Sequence, residues 1–279
     1  MLVGLAVVGS AMAKEPAGVV ELTVDVPAPE SVKGKLREAT REEIAKEVVK
    51  RIRTRVEAAE VKFQSVRMAD NSTIEITADG DIGRELLVGI ALPPGSFEFR
   101  PVKSAGADWL QLIGEMPPGV ELRQGEKLDE KDAFVFSESR SKLESFISKI
   151  SLSEYDVHVF STKEGWRTVA LGEPAFSQEN VRSGEIRQVQ TGAPYVSLEV
   201  DGDGTHRFEA IKTEHEGRFA AVLDGEVVSV VEGSAFSGGT LNLSAPENLS
   251  GKESLMRWAR QVAGRLASPI PVKLIPIED

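Results

Sequence analysis

An Asp-Gly pair between two apolar runs constrains the fold of this chain more than any other local feature. Residues 218–231 read RFAAVLDGEVVSVV, with Asp224 and Gly225 at the centre. A tight type I′ turn needs a positive φ at both central residues, which Asp tolerates and Gly favours. The pattern therefore predicts a β-hairpin, and we expect its role to be mainly architectural.

The composition is that of a globular protein and excludes several kinds of site. The 279 residues are 41% hydrophobic and 28% charged, which allows a sizeable core. The formal net charge of −11 argues against nucleic-acid binding and against electrostatic docking on an anionic membrane, because both need a basic surface. No cysteine is present, which excludes disulfides, zinc–thiolate sites and cysteine nucleophiles.

Residues 1–13, MLVGLAVVGSAMA, look like the end of a secretory signal. Leu2 to Val8 are apolar, and Ala11-Met12-Ala13 has the small-x-small form of a cleavage site. This apolar run is shorter than the roughly 20 residues that span a bilayer, and no other segment reaches that length. We therefore predict export to the periplasm without a transmembrane segment. The alternative is an ordinary buried N-terminal segment, with a cytoplasmic location left open.

The next part of the chain alternates helix and strand patterns. Residues 14–40 are predicted to contain a strand at 19–26 and then a linker. A helix is predicted over 41–60, with Thr40 as N-cap and Glu43 completing a capping box. Strands at 61–67, 73–77 and 96–102 and a short helix capped by Asp81 follow. The apolar stripe of the first helix consists of Ile44, Val48, Ile52, Val56 and Ala59.

We divide the chain into five parts and assign it to the α+β class. Residues 1–13 are the signal-like segment and 14–40 the N-terminal strand and linker. Residues 41–102 and 191–279 form the two halves of a ferredoxin-like base, and 103–190 form a smaller inserted α+β head subdomain. Two consecutive α+β domains are the alternative arrangement. In the second half, a turn at 201–204, helices at 205–216 and 252–266, and a final strand at 270–277 are predicted.

The sequence contains no pattern that identifies a catalytic, cofactor or metal site. His158, His206 and His215 lack the spacing of a helical metal-binding pair. Asp201-Gly-Asp203-Gly204 begins like a calcium loop but has Lys212 where an EF-hand needs an acidic residue, so a turn is predicted. Ser237 lacks the strand–serine–helix context of a nucleophile elbow. We predict no enzyme activity and no cofactor, and the binding residues stay unassigned.

Several short motifs, taken in order, resemble one family. The segment from Tyr195 to Val231, strand–helix–GRFAAVLDGEVVSV, is similar to part of the large periplasmic domain of the SecD family. Gly238-Gly239 with the later 268–271 sequence SPIP, the 86–90 sequence LLVGI and the 97–100 sequence FEFR are also similar to motifs of that domain. The resemblance covers 41–102 and 191–279. The Asp and Gly of the family's R-x-D-x-L-G-V motif are absent from residues 53–61, RTRVEAAEV, and 103–190 match nothing residue by residue.

This resemblance implies a function in protein export. It implies a non-enzymatic, exported protein that binds unfolded or translocating polypeptide, or Sec translocon subunits, and assists translocation. The family continues into membrane helices, whereas this sequence ends at Asp279, so we expect no proton relay within it. The alternative is a structural or regulatory periplasmic protein that reuses the fold without a role in export.

Overall fold

The protein is a mixed α and β structure built from three sheets. The computed structural model describes residues 19–27, 34–79, 82–103, 116–124, 133–150, 156–188, 192–214, 217–270, 272 and 274–277. The signal-like residues 1–13 and His215 lie outside these ranges. Within them, no helix has the length and apolar character needed to cross a membrane.

Five helices and sixteen strands make up the described part of the chain, apart from two short 3₁₀ turns. The helices are α1 Gly34–Ala58, α2 Arg84–Ala91, α3 Arg140–Ile147, α4 Gly202–Glu214 and α5 Lys252–Ala267. The strands are β1 Val19–Asp25, β2 Phe63–Met68, β3 Thr73–Asp79, β4 Phe97–Lys103, β5 Glu121–Gln124, β6 Ala133–Ser137, β7 Asp156–Ser161, β8 Trp166–Leu171, β9 Phe176–Ser177, β10 Val181–Gln188, β11 Pro194–Val200, β12 Arg218–Leu223, β13 Glu226–Glu232, β14 Phe236–Ser237, β15 Thr240–Ser244 and β16 Ile275–Pro276.

The first sheet has the order β16–β1–β3–β2 and packs against α1 and α2. The predicted stripe of α1 faces this sheet, with Val48, Ile52 and Val56 fully buried. The chain thus runs strand, helix, strand, strand, helix. Its last strand, β16, returns after all the other elements and pairs with β1 at the edge of this sheet. The predicted strand at 270–277 is therefore reduced to the two residues of β16.

Helix α1 begins six residues before the predicted N-cap Thr40. The predicted linker is thus wrong for residues 34–40, which are helical. Residues 35–39 read KLREA, all good helix formers, so the helix extends back through the capping-box sequence. The predicted cap of α2 also differs, because Gly83 occupies the N-cap position and Asp81 lies outside the described residues.

The second sheet joins the predicted head to the base. Its order is β13–β12–β4–β8–β6–β5, with β7 also paired to β8 and β9 to β4. Part of the predicted head has a small core of its own, formed by Val120, Val135, Leu143, Phe146 and Ala170. The head is therefore continuous with the base through the pairing of β4 with β8.

The third sheet has the order β10–β11–β15–β14 and is covered by α5. Strand β10 belongs to the predicted head, yet it pairs along β11 from Val181 to Gln188. The predicted boundary at 190 thus separates two strands of one sheet, because pairing between distant segments leaves no mark on local composition. Gly202 to Gly204 also differ from the prediction, since this stretch is the first turn of α4 and not a separate turn.

The predicted hairpin is confirmed. Strands β12 and β13 pair antiparallel from Arg218↔Glu232 to Leu223↔Glu226, with one register shift after Ala221. Asp224 has φ of 54° and Gly225 has φ of 80°, so both central residues take the positive values of a type I′ turn. The other side of β12 pairs with β4, which places the hairpin at one end of the second sheet.

Candidate functional site

Asp224 fixes the hairpin to the segment that connects α2 with β4. One oxygen of its carboxylate accepts hydrogen bonds from the backbone N–H of Gly95 at 2.6 Å and of Ser96 at 2.7 Å. The other oxygen pairs with the guanidinium of Arg265 on α5, and both side chains are only 12% exposed. The turn residue therefore anchors three segments of the chain, and the hairpin cannot shift without breaking these bonds.

Arg55 lies next to this pair and is fully buried. Its guanidinium donates to the carbonyl oxygens of Pro93 and Pro94 at 2.5 Å, of Ser268 at 2.6 Å and of Ile90 at 3.1 Å. Burial lowers the pKa of Arg55 to about 9, and the nearby negative charge of Asp224 opposes this shift. Arg55 thus ties α1 to both connections between the first sheet and the remaining structure.

The hairpin anchored by Asp224 forms one side of a groove, and the predicted head forms the other side. The groove has a volume of about 650 Å³. Phe134, Phe136 and Phe160 line its head side together with residues 161–164. Residues 227–230 of β13 and 244–247 after β15 line the opposite side. We call this the β7–β13 groove.

The groove has an apolar floor and cationic groups over its aromatic rings. Phe160, Val227 and Val230 pack on the small core formed by Val169, Leu171, Ala220 and Val222. The guanidinium of Arg167 lies 4.7 Å from the ring centre of Phe160, and that of Arg123 lies 3.5 Å from the ring centre of Phe136. A surface of this kind can contact apolar side chains of a partner through its rings and polar groups of the partner through its arginines.

Two strands with one unpaired edge each contribute residues to the groove. Strand β7 pairs with β8 and β13 pairs with β12; among the described strands neither has a partner on its other edge. The imidazole Nδ1 of His158 lies 3.1 Å from the carbonyl oxygen of Gly225, which holds β7 close to the turn end of β13. An extended peptide can add to such an edge through its main chain, whatever its sequence.

The residues singled out in the sequence fall in two places. His158 on β7 contacts the carbonyl oxygen of Gly225, whereas His206 on α4 lines a cleft beside the third sheet together with Gly202, Gly238 and Gly239. Asp201 accepts a hydrogen bond from the N–H of Gly204 at 2.7 Å, which lowers its pKa and marks it as the cap of α4. Ser237 lies in β14, followed by the turn at Gly238 and Gly239. The structure thus brings His206 close to the 201–204 stretch and to the glycine turn after Ser237, whereas His158 lies beside Gly225.

The sequence reading missed the groove because its two sides are far apart in the chain. Strand β7 ends at Ser161 and β13 begins at Glu226, and only the fold brings them together. One local signal was available. Phe134, Phe136 and Phe160 are aromatic residues of the predicted head, and all three line the groove.

Comparison with known proteins identifies the fold. No protein-family model and no curated protein matches the chain. A crystal structure of SecDF in a super-membrane-facing form matches with a TM-score of 0.51 and 20% identity over 94% of this chain. This chain spans only 30% of that SecDF chain.

Two further SecDF structures match over similar parts of the chain. One, of SecDF as a membrane component that enhances protein export, has a TM-score of 0.49 and 18% identity, over 93% of this chain and 99% of that one. The other, of the translocon-associated membrane protein SecDF from Thermus thermophilus, has a TM-score of 0.35 and 21% identity, over 94% and 30%. The resemblance to the SecD family indicated by the sequence motifs is thus confirmed at the level of the fold, which this chain shares with part of SecDF.

Proposed function

We propose that this chain is a non-enzymatic, exported protein that binds unfolded or translocating polypeptide and assists its translocation outside the inner membrane. The fold shared with part of SecDF supports this proposal, because SecDF is described as a membrane component that enhances protein export. The partners proposed on the same basis are the polypeptide and subunits of the Sec translocon. Fold alone does not determine function, so a specific surface must carry the proposal.

The observation that carries the proposal is the β7–β13 groove. It combines two features suited to holding an unfolded chain: aromatic and valine side chains set among charged groups, and strands with one unpaired edge. The lining receives apolar side chains, and the edges offer backbone donors and acceptors that match any extended peptide. Residues 227–230 of β13 line the groove, whereas β7 contributes only Phe160 and Ser161, so a bound segment would pair mainly along β13.

We also propose that the first sheet with α1 and α2 is a ferredoxin-like unit. Its elements follow the order β–α–β–β–α–β, with β16 as the last strand, and its sheet has the order β16–β1–β3–β2. In this arrangement the base would consist of residues 19–91 and 275–276, with the intervening chain carrying the groove. The Asp224–Arg265 pair and Arg55 would then keep the groove in a fixed position relative to the base.

A binding measurement tests the proposed function. We expect reduced, carboxymethylated α-lactalbumin, which is permanently unfolded, to bind the full chain in fluorescence anisotropy, and native α-lactalbumin not to bind. The double variant Phe134→Ser/Phe160→Ser should weaken binding at least about tenfold, since each ring loses apolar contact worth roughly 1–2 kcal/mol. Tyr195→Ser, on the third sheet, is the matched control and should bind as wild type does. Equal binding by all three proteins would refute the groove as the site.

A further inference from the structure

A second candidate surface lies between the N-terminal ends of α2 and α5. This cleft has a volume of about 500 Å³. We call it the α2–α5 cleft, and its lining residues outside Gly83 are charged or apolar. Those residues are Arg84, Glu85, Leu86, Lys252, Glu253, Met256, Arg257 and Arg260.

The charge of the cleft has the opposite sign to that of the whole chain. Four cationic side chains line it against two carboxylates, whereas the chain as a whole has 33 cationic and 44 acidic residues. Both carboxylates already face Arg257, with Glu85 at 3.4 Å and Glu253 at 3.6 Å. Lys252 and Arg260 form no ion pair with any described carboxylate, so positive charge remains in the cleft.

The floor of the cleft is apolar. Leu86 is 7% exposed and belongs to the core of the first sheet, and Met256 is half-buried beside it. Both helices also begin here with a glycine at the N-cap and no side-chain cap bond, so their first N–H groups add to the positive potential. A cationic rim over an apolar floor complements a molecule that has an anionic head and an apolar body.

Arg84 also fixes the rim of the cleft to the first sheet. Its guanidinium donates to the carbonyl oxygen of Glu21 at 3.2 Å, two residues into β1.

From these observations we propose that the α2–α5 cleft binds the anionic headgroups of a phospholipid bilayer and docks this side of the molecule on the membrane surface. The net charge of −11 argued against membrane docking at the level of the whole chain. Beyond a Debye length of about 8 Å at physiological ionic strength, however, distant charges are screened, so the local cationic cluster decides the interaction. Each cation near an anionic surface contributes roughly fivefold to binding.

Vesicle co-sedimentation tests this proposal. We expect the full chain to bind vesicles of phosphatidylglycerol and phosphatidylcholine, to bind pure phosphatidylcholine vesicles less, and to dissociate as salt increases. The triple variant Arg84→Gln/Lys252→Gln/Arg260→Gln should lower the partition coefficient about 100-fold. The control Arg182→Gln/Arg187→Gln/Arg207→Gln removes the same charge from another surface and leaves the cleft unchanged, so it should bind as wild type does.

Three results would overturn the proposal. The first is equal binding of both triple variants, with folding checked by circular dichroism. The second is a wild-type chain that does not distinguish the two vesicle compositions. The third is a rise in the melting temperature with inorganic phosphate alone and no vesicle binding, which would indicate a site for a small anion instead of a membrane surface.

Discussion

At the scale of single residues, Asp224 has two roles that no local pattern distinguishes. Its positive φ makes the type I′ turn possible, and its carboxylate joins the turn to Gly95, Ser96 and Arg265. The Asp-Gly pattern predicted the first role. The second role depends on partners that lie 41 and about 129 positions away from Asp224 in the sequence, so only the fold reveals it.

Replacing Asp224 with alanine should destabilise the protein by about 3–5 kcal/mol, because Arg265 would be left buried without its partner. Arg55 would also lose the nearby negative charge that opposes its burial. Chemical denaturation measures the change. Asp224→Asn keeps an acceptor for the Gly95 and Ser96 N–H groups, so we expect a smaller loss. An alanine variant as stable as wild type would contradict the anchoring role.

Gly95 and Gly225 form a matched pair that separates backbone strain from steric conflict. Their φ values are 81° and 80°, so alanine at either costs about 1–2 kcal/mol of backbone strain. A Cβ at Gly225 has no atom within 4 Å, whereas one at Gly95 would lie 2.4 Å from the carbonyl oxygen of Arg265. Gly95→Ala should therefore lower the unfolding free energy by clearly more than Gly225→Ala. Equal losses would show that the contact at Gly95 relaxes freely.

Asp70 should give the β2–β3 turn a measurable dependence on pH. Hydrogen bonds from the N–H groups of Ser72 and Thr73, both 2.7 Å long, hold the pKa of this exposed carboxyl below its ordinary value of 3.8. The ionised group thus adds stability above that pH, and the contribution disappears as pH falls through the lowered pKa. Melting temperatures of wild type and Asp70→Asn should differ at pH 6 and converge in acid. A difference independent of pH would contradict the assignment.

At the scale of elements, the sequence predicted those whose pattern is local and regular. Helix α5 was predicted over 252–266 and spans Lys252–Ala267, with Trp258, Val262 and Leu266 buried. Helix α1 was predicted with the correct buried face and the wrong start. The burial of Arg55 could not be predicted, since the carbonyl groups that accept its hydrogen bonds belong to residues distant in sequence. Strand β16, with two residues, is too short for any pattern to predict its partner.

The close contact between α1 and α5 depends on the absence of a side chain at Gly264. A Cβ there would lie 3.0 Å from both the carbonyl oxygen of Arg55 and a methyl group of Ile90, and 3.3 Å from Ala59. Gly264→Val should separate the helices and cost about 1–3 kcal/mol by overpacking. Ser254→Val, at an exposed position of the same helix, is the control and should change stability little. Equal stabilities would contradict the tight packing.

At the scale of the whole molecule, the class and the resemblance to SecD could be predicted, but the distribution of strands among sheets could not. Local motifs in order were enough to indicate the family. The pairing of β10 with β11, of β4 with β8 and of β1 with β16 crosses the predicted boundaries, because strand pairing depends on distant partners. The β7–β13 groove arises from the same long-range arrangement.

The central claim, that this groove receives an unfolded chain in transit, is tested most directly by photocrosslinking. A benzoylphenylalanine placed at position 160 in the full chain is exposed to a secretory precursor arrested during export, and the same probe at position 195 serves as control. We predict crosslinks to the precursor from position 160 and few from 195. Crosslinks of equal yield from both positions, or none from 160 while the precursor is engaged, would contradict the account.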